Sequence, residues 1–462
     1  MRNNYIINLQ NKQIIKLLLI LLIFSIFFPI RLVFFTKEAF LTGDYSDFTS
    51  FSLYLSDIFL ILIFVYIFPY IYENFSWTKI NIGLPIFIIW LILALIFKSS
   101  NLSQINLWYC FKFIELIVAY ETFMIIFQET ALKITFFKLF AWFCAIQSVL
   151  ALSQFASQSS IGLYKLGEQH LNSAILGVSK IVSGGTTLIR GYGTFPHPNP
   201  LSAFLVAGVI ITVYLLIQSE KRKSRMLYSL LLFLNILGVT VTFSRAAYLA
   251  LALGLLILSI GLTVIARREA PKQSQNRLPR SFQSLAMTLT MVTISVIVSF
   301  FLFKPFLFSR ATFSDQSTID RKFYNAVGLN MIQKNPIFGV GVGESLLHME
   351  HYSSKTLQPW EKQPPHNYFI IAAAELGIPG ALLLIWIIFS HLWGLLKKIK
   401  PGIDFKLFTF YFLLFTILAT FLLLMQFDHY FYTLEQTQIL LWIFLGLIAA
   451  EIKNPREGDI NS

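Results

Sequence analysis

Residues 198–265 read PNPLSAFLVAGVIITVYLLIQSEKRKSRMLYSLLLFLNILGVTVTFSRAAYLALALGLLILSIGLTVI, and this stretch decides the fold. It holds three apolar runs, at about 198–217, 225–243 and 245–265, with two kinds of connection between them. One is basic, Lys221-Arg222-Lys223 with Arg225, and the other is the tight turn Thr242-Phe243-Ser244-Arg245. A hydrocarbon core about 30 Å thick takes about 20 apolar residues as helix. Each run is therefore long enough to cross a bilayer, and the chain reverses direction between runs.

The same window, moved outward, finds about twelve spans in all. The others lie near 14–35, 52–72, 82–98, 106–128, 134–156, 282–305, 377–396, 405–427 and 433–452. Composition agrees: 56% of the 462 residues are hydrophobic, 13% are charged and the mean hydropathy is +0.68. These values lie outside the range of a soluble globular domain. The expected fold is all-α, a polytopic transmembrane helical bundle with a long extracytoplasmic loop that contains an amphipathic helix. The aromatic content, 16%, reads as lipid-facing bulk and interfacial belt. Cys110 and Cys144 fall inside apolar runs, which gives neither a disulfide framework nor a thiolate metal site. The first run follows Arg2, Lys12 and Lys16 but is longer than a signal h-region and lacks a small-residue cleavage site, so it reads as an uncleaved span.

The net charge of +13 sits in short clusters between spans. Besides 221–225 these are Arg267-Arg268 with Lys272, Arg277 and Arg280, then Lys397-Lys398 with Lys400, and the tail with Lys453 and Arg456. A cytoplasmic N-terminus puts all of them on the cytoplasmic side, which is the positive-inside pattern and argues against a nucleic-acid partner. The chain then divides into spans one to nine over 1–305 with an external loop at 157–197, an extracytoplasmic loop at 306–366, a short surface helix with spans ten to twelve over 367–452, and a cytoplasmic tail at 453–462. No internal repeat of about 20–50 residues is evident, which disfavours a secondary transporter, many of which are built from repeats with broken helices at the midplane.

The external side holds the polar residues that invite chemistry. Residues 183–201 form a glycine- and proline-punctuated entry into span six, with Arg190 beside glycines and His197 and Asn199 between prolines. Arg190 reads as a headgroup-level snorkel or as an anion contact, and Asn199 as a helix cap. Arg245 is pinned in a minimal turn on the side where arginine is disfavoured, which favours an anion contact. Ser317 or Thr318 is placed to cap a helix over about 319–333 whose apolar residues Ile319, Phe323, Ala326, Val327 and Met331 recur at helical spacing, as in a helix lying on a membrane surface. Arg321 sits in its first turn, where a guanidinium beside free amides makes a phosphate site. Gly339, Gly341 and Gly343 follow and read as a turn.

Pro364-Pro365-His366-Asn367 sets a histidine at the mouth of the next helix. That helix is expected from Asn367 to Glu375, interrupted by Gly377-Ile378-Pro379-Gly380 before the span proper. The positive end of the helix dipole favours neutral imidazole, so His366 reads as a general base. Glu375, Asp428 and Tyr430 are candidate supporting groups, with structural pairing the expected role of the two acids. Within span four, Lys112 and Glu115 are three residues apart and are expected to pair; Asp57, near the outer end of span two, has no assigned partner. No His/Asp/Glu spacing suggests a metal, and no cytoplasmic segment carries a nucleotide loop, so no cofactor is expected.

Taken together, residues 190–200 (RGYGTFPHPNP), 242–245 (TFSR), Arg321 followed by 335–343 (NPIFGVGVG), and 364–367 (PPHN) leading to 375–380 (ELGIPG) resemble the O-antigen ligase and O-antigen polymerase superfamily over roughly 190–450. The resemblance implies a GT-C-type, metal-independent, inverting glycosyltransferase in the bacterial cytoplasmic membrane, active on its external face. It implies a polyprenyl (undecaprenyl) diphosphate-linked glycan as donor and a glycan, lipid or protein acceptor, in a setting of membrane lipid. His366 falls on the family's catalytic histidine and Arg245 and Arg321 on its loop arginines, with Arg190 joining them; His197, Asn199, Asn367, Glu375, Asp428 and Tyr430 are carried as supporting positions. In physical terms, arginines would grip the diphosphate as leaving group while His366 takes a proton from the acceptor hydroxyl. The competing readings are a lipid-linked glycan flippase or other transporter, which would line a midplane path with ionisable residues, and a peptidoglycan polymerase of the shape and elongation class.

Overall fold

The computed structural model describes residues 9–74, 81–98, 103–269, 280–309, 316–399 and 403–453. The basic positions Arg2, Lys272, Arg277, Lys400 and Arg456, with most of the expected tail, lie outside these residues, and the side chains of Arg267, Arg268 and Arg280 are likewise not described. The chain is mostly helical, with two small two-stranded sheets among the described residues. Each of the twelve expected spans coincides with a helix: α1 (Leu9–Phe27), α2 (Leu55–Asn74), α3 (Gly83–Lys98), α4 (Gln104–Ile126), α5 (Thr130–Ser157), α6 (Pro198–Ile217), α7 (Arg222–Val241), α8 (Arg245–Glu269), α9 (Arg280–Ser309), α12 (Tyr368–Lys398), α13 (Phe405–Met425) and α15 (Glu435–Lys453). Eight are long and apolar enough to cross a membrane by length and composition. The apolar parts of α3 and α8 are shorter, and α4 carries Lys112, Glu115 and Glu121.

The bundle is built around α6 and α15, whose apolar windows are each 94% buried. A helix apolar on all sides has no polar stripe to turn toward water, and both occupy the middle of the packing. More peripheral helices keep a lipid-facing stripe, as Ile58, Ile61, Leu62 and Val65 do along α2.

Three elements depart from the expected pattern. The first span ends at Phe27, eight residues short of Phe35, because Pro29 follows it and residues 31–34 turn into a strand. That strand, β1 (Arg31–Phe34), pairs antiparallel with β2 (Phe51–Tyr54) in register Arg31↔Tyr54, and Arg31 is anchored to Asp47 at 2.7 Å. In the loop before α6, β3 (Lys180–Ser183) and β4 (Thr186–Ile189) form a hairpin around Gly184 and Gly185. The amphipathic helix α10 runs Gln316–Lys334, so Ser317 and Thr318 lie inside its first turn and do not cap it. Its buried face, Tyr324, Val327, Gly328 and Met331, packs on Val340, Met349, Leu357 and Ala374 and is thus covered by protein, while Ile319 is exposed. Met349 belongs to α11 (Ser345–Tyr352), which closes over α10.

The interrupted helix at 367–380 is as expected: α12 is two helices joined at Gly377, whose φ of 73° and ψ of 170° break the helical path. The freed backbone groups are taken by the segment after α10, where Val340 N donates to Ala374 O (2.7 Å), Gly341 N to Glu375 O (3.2 Å) and Ile378 N to Pro336 O (2.8 Å). A Cβ at Gly377 would overlap the Ile337 carbonyl while the φ is itself unfavourable to L-residues. Gly377→Ala is expected to destabilise the fold by more than about 1 kcal/mol, read as a lowered midpoint of thermal unfolding in detergent; an unchanged midpoint would mean that this strap contributes nothing.

Lys112 does pair with Glu115, at 2.9 Å, but the pair is part of a larger buried group. The same ammonium reaches Asp57 on α2 at 2.6 Å and Glu435 at the start of α15 at 3.3 Å. Asp57 thereby gains the partner that sequence could not supply. One oxygen of each acid, Asp57 Oδ1, Glu115 Oε1 and Glu435 Oε1, has no hydrogen-bond partner, so Lys112 is the cation that three carboxylates share.

Candidate active site

The centre of the polar cluster at one end of the bundle is a carboxylate, Asp428, in the turn between α13 and α14 (Tyr430–Thr433). Two apolar spans running into Asp428-His429-Tyr430 leave the chain one short polar turn in which to reverse. Asp428 is 7% exposed. Its Oδ1 accepts from His429 N at 2.9 Å and lies 3.4 Å from His366 Nδ1; its Oδ2 accepts from Asn199 Nδ2 at 2.8 Å and lies 3.7 Å from the Arg321 guanidinium. Burial pushes the Asp428 carboxyl up, but the hydrogen bond from His366, with the Arg321 charge, holds it well below the usual carboxylate range. The group is therefore an anion, and three segments of chain besides its own turn, carrying Asn199, Arg321 and His366, converge on it.

His366 is presented by the cap of α12. Asn367 accepts from Phe369 N (2.9 Å) and Ile370 N (3.1 Å), while its own Nδ2 donates to Gln426 O (3.0 Å). Pro364 and Pro365 stiffen the approach from the other side. The imidazole lies between Tyr324 (5.9 Å between ring centroids) and His429 (5.1 Å), with a fifth of its side chain exposed. A proton on Nδ1 donated to Asp428 leaves Nε2 as the acceptor.

Arg190, His197 and Asn199 sit deeper than a surface site requires. Arg190 is 4% exposed and donates to Asn199 Oδ1 and Ser179 Oγ, each at 2.7 Å, and to the Thr242 carbonyl at 2.5 Å. It reaches Asp428 through Asn199. The cap of α6 is His197, whose Nδ1 accepts from Asn199 N at 3.1 Å, so Asn199 is not the cap and its side chain is spent on the Arg190–Asn199–Asp428 chain.

Arg245 opens α8 two residues after Phe243, which holds a left-handed φ of 47°. Such a conformation is costly for an aromatic residue. It is held by burial among Phe155, Phe303 and Phe306. The turn it makes aims Arg245 at α10, where its guanidinium donates to Thr318 Oγ1 at 3.2 Å. Arg321 lies three residues on, one turn along the same face. Two guanidiniums 76 positions apart in sequence are thus brought to one end of α10.

Glu375 stands apart from this cluster, while Tyr430 lies beneath it within electrostatic reach of Asp428 and Arg321. Glu375 Oε2 accepts from Gly343 N at 2.7 Å, and Oε1 from Ser345 Oγ at 2.6 Å, which secures the glycine segment before α11. Gly339, Gly341 and Gly343 all have positive φ and form a turn there. Tyr430 is buried beneath the hairpin, its carbonyl accepting from Leu434 N and Thr437 Oγ1. His429, which no sequence motif singles out, is within hydrogen-bond distance of Thr433 Oγ1 (2.7 Å) and packs on Phe48, a residue from the loop before β2. Its only sequence signal was membership of the polar trio between two apolar runs.

Among the described residues two sets have donor atoms close enough to hold a metal, His366 with Asp428 and His429, and Asp57 with Glu115 and Glu435. In the second, the Lys112 ammonium already touches all three acids. In the first, Asp428 Oδ2 already meets both the Asn199 amide and the Arg321 guanidinium.

The buried imidazoles set an acid limit. Burial pushes His429 down to about 3, with Asp428 opposing; burial and then Arg190 do the same to His197, also to about 3. Both stay neutral when folded but protonate near 6.5 when unfolded, so the unfolded chain binds more protons between these values and stability falls as pH drops from about 6.5 toward 3. Asp428 adds its loss only below the ordinary carboxylate range. Thermal unfolding in detergent should shift to lower temperature from pH 7 to pH 4.5, and His429→Gln should flatten the slope; equal slopes in both proteins would remove His429 as a cause.

No curated protein matches the chain. Residues 230–385, which run from α7 through the arginine turn, α10 and His366 into α12, match the family model described as O-antigen ligase. The match takes in about a third of the chain, so over 230–385 this multi-pass helical membrane protein is similar to the O-antigen ligase family, and the motif at 190–200 lies outside the matched stretch.

Proposed function

We propose that this protein moves a glycan from a polyprenyl diphosphate carrier to an acceptor hydroxyl on the external face of the bacterial cytoplasmic membrane. The observation that carries this reading is the approach of His366 Nδ1 to an ionised Asp428 at the same end of the bundle where Arg245 and Arg321 meet on α10. Asp428 fixes the imidazole with Nε2 outward. Nε2 takes the proton of the acceptor hydroxyl, whose oxygen forms the new bond to the anomeric carbon as the bond to the diphosphate oxygen breaks. The displaced polyprenyl diphosphate leaves with the bonding pair, and Arg245 and Arg321 stabilise its charge by hydrogen bonds that strengthen as the charge develops. A single displacement of this kind inverts the anomeric centre, and the energy comes from the donor. Arg190 serves as a positioning residue, holding Asn199 against Asp428.

Arg245→Ala and Arg321→Ala should each weaken donor binding by about 10- to 100-fold, the loss of a hydrogen bond to a charged group. Titration of the purified protein with a lipid diphosphate tests this; unchanged affinity in both variants would remove the arginine clamp. Surface glycan from a deletion strain separates ligation from polymerisation. Loss of all long chains with accumulated lipid-linked polymer marks a ligase, and a single repeat on the acceptor marks a polymerase.

A further inference from the structure

At the end of the bundle away from Asp428, helices α5, α6, α7, α13 and α15 enclose a cavity of about 580 Å³. The helix α6 separates it from the site described above, since His197 caps one end and Gln218 lines the cavity at the other. Twenty residues at 1.5 Å each put about 30 Å between them.

The cavity is layered. Three helices each contribute a polar residue at their end and an aromatic one turn deeper: Lys133 and Phe137 on α5, Gln218 and Tyr214 on α6, Lys406 and Phe410 on α13. Residues four apart lie on one helix face, so the polar groups form a rim and the aromatic rings a wall beneath it. Lys133 is neutralised by an ion pair with the buried Glu451 and lies over the Phe410 ring at 5.4 Å. Lys138, Lys221 and Lys406 complete the rim, all exposed and without a carboxylate partner among the described residues. Among the described lining residues the acids are Glu451, which is paired with Lys133, and Glu220, while the nearby Asp404 carboxylate is spent on the Lys406 and Leu407 amides. The rim is therefore cationic over an apolar wall.

We propose that this cavity binds an anionic phospholipid, with its phosphate on Lys138, Lys221 and Lys406 and the first methylenes of its chains on Phe137, Tyr214 and Leu215. A phospholipid carries charge above hydrocarbon in the order the cavity presents, whereas a free phosphate would leave the aromatic wall unused. A zwitterionic headgroup brings its own cation and gains little from three lysines. Such basic pockets between spanning helices recognise acidic headgroups, at about 1 kcal/mol for each lysine near the surface.

The test uses the full-length protein reconstituted in vesicles of phosphatidylcholine with graded phosphatidylglycerol, then extracted for native mass spectrometry of retained lipid. Wild-type protein should retain phosphatidylglycerol in preference to phosphatidylcholine. The K138Q/K221Q/K406Q variant should need about a hundredfold more for equal retention. The single exposed change Lys138→Glu, which cannot disturb the core, should lower retention by about tenfold or more. Soluble glycerol phosphate should not displace the lipid. Equal retention of the two lipids, unchanged retention in both variants, or displacement by glycerol phosphate would each overturn the assignment.

Discussion

Replacing His366 with alanine is expected to lower glycan transfer by about 10²- to 10⁴-fold, the usual contribution of a positioned general base, while leaving affinity for the lipid diphosphate largely intact. The separation follows from geometry. His366 meets Asp428 on one side and has a fifth of its side chain open, whereas the guanidiniums converge at Thr318 and Arg321 on α10. Asp428→Asn is the companion variant: it keeps the shape and removes the charge that orients the imidazole, so the same loss should appear in turnover with donor affinity preserved. A transferase assay alongside a binding titration reads both. Retained turnover in His366→Ala would sink the base assignment, and a parallel fall in donor affinity would instead make His366 a diphosphate contact.

The second large effect belongs to Lys112. Replacing it with methionine is expected to cost about 3–5 kcal/mol of stability, the penalty for removing one partner from a buried ion pair. Here the single ammonium faces Asp57, Glu115 and Glu435, all less than a tenth exposed, and each already has an oxygen without a hydrogen bond. Losing Lys112 also unties α4 from both α2 and α15. The double variant K112M/E115Q should recover part of the loss, because it removes one of the stranded charges. Chemical or thermal unfolding in detergent measures both. A single variant as stable as the wild type would mean that the acids hold protons of their own and that the lysine is dispensable.

Much of the polar cluster around Asp428 was legible because glycine, proline and short polar turns stand out against apolar runs. Pro364-Pro365-His366-Asn367 and the break at Gly377-Ile378-Pro379-Gly380 were readable for that reason, and the structure keeps both the cap and the kink. Other assignments failed where the deciding partner is distant in sequence. Arg190 beside glycines looked like a surface arginine, yet Thr242, Ser179 and Asn199 close around it. The face of α10 was read from its period, which cannot say whether lipid or the chain's own loop will cover it.

The sequence by itself determined the helical membrane architecture, the order of the spans and the motifs at 190–200, 242–245 and 364–380, because each depends on local composition: run length and backbone-breaking residues. Only the tertiary structure decided that Asp428 is the hub for His366, Asn199, His429 and Arg321, that Asp57 and Glu435 share Lys112, and that three lysines ring one cavity. Those relations join residues from different helices. Their energies depend on burial and on distances of a few ångströms, and no periodicity along the chain encodes either.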